Sequence, residues 1–255
     1  MRPSTSSLTL ASGLIAIGLV HGANAQERAD LPARERIDRS FTLRPGAAVS
    51  ISSIAGPVTV ETGGGSRAEV HILRQARTQQ ELECTRTEIE SRNGGLSIRQ
   101  LTPSRLQACR TIQTRQTVRL VLPRNVDLSL DSIAGKLEVG TVDGALRLSS
   151  IAGRTTIAGA RSADISSVAG RLQLGLGPID RKGVRISSVT GSVELLFRRG
   201  TNADLRADSI MGRVMSASPA VQVRREQNSY RARIGTGGPT VSVSSIVGQV
   251  RLGIV

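Results

Sequence analysis

Apolar and polar positions along this chain follow a short unit that recurs around a glycine. Counting outward from that glycine, apolar residues fall at minus seven, minus five, minus two, plus two and plus four. The copy at Gly56 gives Val49, Ile51, Ile54, Val58 and Val60; the copy at Gly135 gives Leu128, Leu130, Ile133, Leu137 and Val139. At Gly191 they are Val184, Ile186, Val189, Val193 and Leu195, and at Gly153 they are Leu146, Leu148, Ile151, Thr155 and Ile157. Two-residue alternation on each side of the glycine predicts two short strands. Between minus five and minus two the alternation loses phase, so the chain bends there. Small residues fill the bend: SSIAG at 52–56, DSIAG at 131–135, SSIAG at 149–153, SSVAG at 166–170, SSVTG at 187–191, DSIMG at 208–212 and SSIVG at 244–248.

From Gly135 onward the glycines are 18, 17, 21, 21 and 36 residues apart, the last gap being about two periods. A period near twenty marks stacked repeats. One rung cannot bury its apolar edge alone, but rungs stacked at roughly 4.8 Å build a continuous aliphatic core. The pattern therefore predicts an all-β chain, a single-domain parallel β-solenoid (β-helix). Its glycines should stand at equivalent corners, where positive φ and close backbone approach favour a residue without Cβ. Residues 63–125 break the period and are expected to form an irregular, partly antiparallel N-terminal region. Its alternations are Ala68, Val70 and Ile72; Leu96 and Ile98; and Val118, Leu120 and Leu122 before Pro123, with turns at Gly63-Gly64-Gly65 and Asn93-Gly94-Gly95.

The N-terminus is of another kind. Residues 1–25 read as a cleaved signal peptide, with Arg2, an apolar stretch over 8–20 and a small-x-small site at Ala23-Asn24-Ala25. That stretch is too short for a membrane span, and no second apolar run follows. The expected localisation is periplasmic or secreted. Residues 26–39, charged and without apolar periodicity, read as a flexible linker, and 40–255 as the folded domain. Cys84 and Cys109 are the two cysteines. In an exported chain such a pair points to a disulfide, with two buried free thiols as the alternative.

The order of these features carries a family resemblance. Phe41-Thr-Leu-Arg-Pro-Gly46 precedes the first strand pair, a strand ends at Leu122-Pro123, glycine rungs follow in series, and Ile234-Gly-Thr-Gly-Gly238 precedes the final SSIVG. This resembles the DUF4097 putative adhesin family and the related head-GIN putative adhesin domains, over roughly residues 41–255. The resemblance implies a fold and an adhesive role; it brings no catalytic residues.

The chain offers little catalytic chemistry of its own. His71 is the one histidine after the signal region and lies in an alternating strand, as a surface histidine would. With it and a bridged cysteine pair, zinc has no ligand set. The acidic residues Asp127, Asp131, Glu138, Asp143, Asp164, Glu194, Asp204 and Asp208 are dispersed. Asp131 and Asp208 replace serine at the repeat corner, where a bond to a turn amide is expected. Gly235-Thr-Gly-Gly238 lacks the Gly-Lys-Ser/Thr and helix of a phosphate loop and reads as a turn. No serine sits in a nucleophile elbow; Ser53, Ser132, Ser150, Ser167, Ser188, Ser209 and Ser245 form instead a ladder suited to satisfying corner backbone groups. No cofactor is expected.

Charge gives the functional lead. The formal net charge is +14, and removing Arg2 with the signal region leaves +13. One residue after the repeat glycine stand Lys136, Arg154, Arg171 and Arg213, interrupted by Ser192. Stacked, they form either a basic line or a solubilised face, the latter helped by Glu138 and Glu194. Phe41, Phe197 and Tyr230 are too few for base or sugar stacking, so sequence-specific nucleic acid is not expected as a partner. The reading is an exported, non-enzymatic binding or scaffolding module of the cell envelope, with an anionic glycan or another envelope component as partner. The alternative is a polysaccharide-processing β-helix enzyme. Its nearest candidate residues are Asp180-Arg181-Lys182 and Asp204 with Arg206; failing the basic line, the Arg198-Arg199 and Arg224-Arg225 pairs become the binding candidates.

Overall fold

The structure is a computed structural model that describes residues 31–101, 109, 114–219, 221–227 and 229–255; the expected signal peptide lies outside the described residues. No helix among them is long and apolar enough to cross a membrane. Residues 31–255 form one compact unit, which among the described residues is built on a 14-stranded sheet and one short helix.

The repeat copies pair in parallel and in register, as their common spacing requires. Strand β2 (Ala48–Ala55) sets Ile54 beside Ile133 of β8 (Asp127–Ala134), which sets Ile133 beside Ile151 of β9 (Leu137–Leu176). Strand β10 (Val184–Phe197) aligns Val189 with Val168 on one side and with Ile246 of β14 (Thr240–Ile254) on the other. All of these residues are buried, on a core that runs unbroken through the stack.

The bend falls inside the predicted gap. At minus three, Ser53, Ser132, Ser150, Ser167, Ser188 and Ser245 take φ between +52° and +60°. That left-handed turn flips the side-chain phase once, so minus five and minus two both point inward. The repeat glycines themselves lie at φ +131° to +148°, which side chains rarely adopt. They also touch one another. A Cβ on Gly153 would meet the carbonyl oxygen of Gly135 at 2.1 Å, and one on Gly170 would meet that of Gly153 at 2.1 Å. Gly135 stacks likewise on Gly56, Gly191 on Gly170, Gly248 on Gly191 and Gly212 on Gly248.

That contact order corrects the expected one. The copy at Gly248 does not follow the copy at Gly212. Strand β14 lies between β10 and β11 (Ala203–Ser216), with Gly248 aligned to both Gly191 and Gly212. The 36-residue gap is no doubled period. It holds an antiparallel hairpin, β12 (Val223–Glu226) and β13 (Ser229–Ile234), which pairs with the first half of β11 and lets the chain return inside it.

Antiparallel strands, expected only near the N-terminus, thus occur at both ends, and the sheet is mixed, not purely parallel. At the N-terminal end, β6 (Gly95–Leu101) pairs parallel with β2 and carries antiparallel β5 (Arg86–Arg92). Beside them, β3 (Val58–Gly63) pairs with β7 (Thr114–Pro123), which carries β4 (Arg67–Ala76) and then β1 (Ala33–Thr42). Antiparallel strands so flank three of the four ends of the parallel ladders; among the described residues none pairs with the outer edge of 210–216.

Strand β1 takes up residues 33–39 of the linker expected over 26–39, whose residues 26–30 lie outside the described residues. Its charged residues do not leave it loose, because they find partners: Glu35 bonds to Arg74, and Asp38 accepts from His71 at 2.6 Å. Ala33, Ile37 and Phe41, four residues apart, are the half-covered positions. A mostly charged edge strand reads like a tether from sequence, yet such charge is how edges are kept from pairing with other chains.

The irregular region is pinned by one bond and one buried cation. Cys84 and Cys109 form a disulfide with Cα atoms 5.5 Å apart, as expected. Arg74, almost fully buried, reaches the carbonyls of Leu82 and Thr85 and the Thr85 hydroxyl, tying helix α1 (Gln79–Glu83) to β4. Labelling of the unreduced, denatured chain should find no free thiol, and replacing both cysteines by alanine should lower stability by roughly 3 kcal/mol. Two reactive thiols would count against the bridge.

Three further substitutions test the packing. Gly153→Ala should cost about 2–4 kcal/mol, from overpacking against Gly135 plus backbone strain. Gly64→Ala, where a Cβ meets nothing within 4 Å, should change little. Thr155 is fully buried where other copies carry valine or leucine, and its Oγ1 has no hydrogen-bond partner among the described residues. Thr155→Val should therefore stabilise the protein by about 1 kcal/mol in denaturant unfolding. A loss of stability there would refute the orphaned-hydroxyl account.

Candidate functional site

Outward positions in a stacked sheet form columns, since paired residues lie side by side at roughly 4.8 Å steps. The column one residue after each glycine runs Pro57, Lys136, Arg154, Arg171, Ser192, Gln249, Arg213 in spatial order. The structure brings Lys136, Arg154 and Arg171 together, all exposed. It sets Arg213 apart from Arg171 by two uncharged residues, about 14 Å away along the column. The inserted strand β14 is the reason. Lys136 holds Glu138 at 2.7 Å, whereas Arg154 and Arg171 have no ion pair among the described residues.

Asp131 accepts from the expected turn amide, that of Ser132, and from two hydroxyls besides. Its carboxylate accepts from the hydroxyl of Ser149, its cross-strand neighbour, at 2.5 Å and from that of Ser132 at 2.7 Å. These bonds, Ser149 first, hold the Asp131 carboxyl below the usual carboxylate range. Asp127 accepts from the Ala145 amide at 2.8 Å, knitting two rungs. Both are structural carboxylates.

The two carboxylates named for an enzyme are each engaged elsewhere. Asp180 faces Arg161 at 3.2 Å, in a turn that Gly183 closes by donating to the Asp180 carbonyl. Asp204 faces Arg233 at 3.6 Å and accepts from the Gly238 amide at 3.2 Å. The Gly235–Gly238 loop is a turn whose amides at Thr236 and Gly238 donate to the side chains of Asn202 and Asp204. His71 bonds Asp38 on the open face of β4 and β1, which lowers the Asp38 pKa. Among the described residues no cluster of three or more His, Cys, Asp or Glu is arranged to hold a metal.

A second basic surface brings Arg206 and Arg224, each named separately from the sequence, together with Arg231, which was not. Antiparallel pairing sets Arg206 of β11 opposite Arg231 of β13, and Arg231 opposite Arg224 of β12. The three make one row across adjacent strands. They line, with Arg233, Asp204 and Glu226, an open groove of about 830 Å³. Glu226 lies 3.0 Å from Arg231; Arg206 and Arg224 have no ion pair among the described residues. Arg225, on the opposite side of the hairpin, lies 5.8 Å from the Tyr230 ring centre, within cation–π range. The signal in the sequence is the alternate spacing of Arg231 and Arg233 beside Arg224, legible only once the hairpin register is known.

Among the solved structures that resemble this chain are bacterial proteins described as putative adhesins. A putative cell adhesion protein from Clostridium sporogenes is 9% identical, with 87% of this chain and 100% of that one covered and a TM-score of 0.48. A putative adhesin from Bacteroides fragilis is 8% identical, covering 87% of this chain and 98% of that one at a TM-score of 0.40. No family model matches the chain, and no curated protein matches it. The DUF4097 resemblance thus rests on the residue pattern.

Proposed function

We propose that the chain is an exported, non-enzymatic β-solenoid that acts as a binding or scaffolding module at the cell envelope, taking anionic glycan or another acidic envelope component on its basic outward face. The observation that carries this reading is the cationic column: Lys136, Arg154 and Arg171 stand at the same place in successive repeat copies, two of them without a counter-charge among the described residues. Like charges held a strand apart repel, and a polyanion laid along the column relieves that repulsion. In-register glycine and aliphatic rows support the solenoid, each rung resting only on its neighbours. The disulfide supports export to an oxidising compartment. The separate engagement of Asp180 and Asp204 supports a binding role over glycosidic chemistry, which needs two carboxylates facing one bond.

The experiment is salt elution from a heparin-like anionic glycan resin. Lys136→Gln, Arg154→Gln and Arg171→Gln combined should move elution to clearly lower salt while leaving the thermal midpoint nearly unchanged, since all three are outward. Arg213→Gln alone should have the smallest effect, because two uncharged steps separate it from the others. Elution of the triple variant at the parental salt concentration would reduce the column to a solvated face.

A further inference from the structure

We infer that the row Arg206–Arg231–Arg224 is a binding subsite for a phosphate monoester group, of the kind borne by a phosphorylated saccharide or a lipid headgroup. The inference deepens the reading of the chain as an anion-binding module, but it rests on a different surface from the Lys136 column.

The row is costly as it stands. Directly opposed residues on antiparallel strands have Cβ atoms roughly 4.5–5.5 Å apart, and like charges there are destabilising. Here two such contacts follow one another, Arg206 with Arg231 and Arg231 with Arg224. The groove holds four guanidiniums and two carboxylates. Asp204 is engaged by Arg233 and Glu226 by Arg231, which leaves the guanidiniums of Arg206 and Arg224 without a counter-charge among the described residues. They flank Arg231 from either side.

The chemistry of the missing partner follows from this count. Two flanking forks call for a ligand that accepts from both sides and brings close to two negative charges. A phosphate monoester carries about −1.5 to −2 charge and three acceptor oxygens. A single carboxylate brings one charge and two oxygens and saturates one fork. Arginine rather than lysine at all three places fits planar, two-point recognition of phosphate oxygens. The groove is open enough for the phosphate to arrive on a larger molecule, and Asp204 and Glu226 at its margins disfavour an extended polyanion lying along it. No aromatic residue lines it, so the group carrying the phosphate is held by its charge rather than by ring stacking.

The test follows the arginine side-chain Nε–H signals by NMR during titration with glycerol phosphate, with glycerate as the carboxylate control. Glycerol phosphate should shift Arg206 and Arg224, and glycerate should bind far more weakly. Arg206→Gln with Arg224→Gln should reduce phosphate affinity roughly tenfold or more, the scale of a charge-assisted hydrogen bond. The triple substitution at Lys136, Arg154 and Arg171 should leave that affinity unchanged, so failure of the column and failure of this subsite are separable. Arg206→Lys with Arg224→Lys keeps the charge and removes the forks; it should fold as the parent does and bind less tightly, which guards against a folding defect in the Gln variant. Flotation with phosphatidylcholine vesicles containing phosphatidic acid then separates the sources. Co-flotation that the Gln variant loses assigns a headgroup, and its absence assigns a soluble phosphate ester. The proposal is overturned if glycerate binds as tightly as glycerol phosphate, or if the Gln variant keeps the parental affinity.

Discussion

Everything in this protein is spaced by the contact of one glycine backbone on the next. At Gly135, Gly153, Gly170, Gly191, Gly248 and Gly212 the Cβ position is occupied by the carbonyl of the neighbouring repeat glycine, and at Gly56 by that of Gln116, so a side chain at any of them would push two strands apart. Because that approach fixes how closely neighbouring repeat copies lie, the residues at minus five, minus two and plus two fall into register without further instruction, and the aliphatic rows close over one another. The left-handed serines three residues earlier do the complementary work. Each turns the chain through the phase change that brings both half-strands to the same core. Packing supplies most of the free energy, and the glycine column decides where it is gained.

The same regularity organises the surface. Outward residues inherit the register of the core, so a single repeated choice of residue becomes a line across many strands. The Lys136, Arg154 and Arg171 column arises in this way, and so does the Asp131–Ser149 contact between neighbouring rungs. The arginine row of the C-terminal hairpin has another origin. There, antiparallel pairing juxtaposes Arg206, Arg231 and Arg224, which belong to no repeat position in common.

That difference explains what could be read from the sequence. Parallel copies of one unit advertise their register, so the strand pairs, the inward rows and the bend between minus five and minus two were all legible, as was the pairing of Cys84 with Cys109 through composition and context. Antiparallel partners share no motif. Nothing in Arg231 announces Arg206, and nothing in the charged stretch before Phe41 announces β4, because the pairing of β1 depends on Glu35 and Asp38 meeting Arg74 and His71 from more than thirty residues away. Sequence order itself misled at one point. The distance from Gly212 to Gly248 suited two ordinary periods, and the return of the chain between β10 and β11 leaves no mark on the hydrophobic pattern, since β14 satisfies the same rows wherever it sits.

The position of β14 bears on how the chain must assemble. Most of the stack can grow rung by rung, each new strand laid on the one just finished. Strand β11 cannot join in that way: its neighbour in the sheet is made after it, so β11 with its hairpin must wait, unattached, until β14 emerges to join it to β10. The closing step is thus an insertion between two waiting edges rather than an addition to one. A chain interrupted before β14 would expose both edges at once, and would be set apart from a finished molecule by two open strand surfaces of the kind that quality-control proteases and chaperones engage.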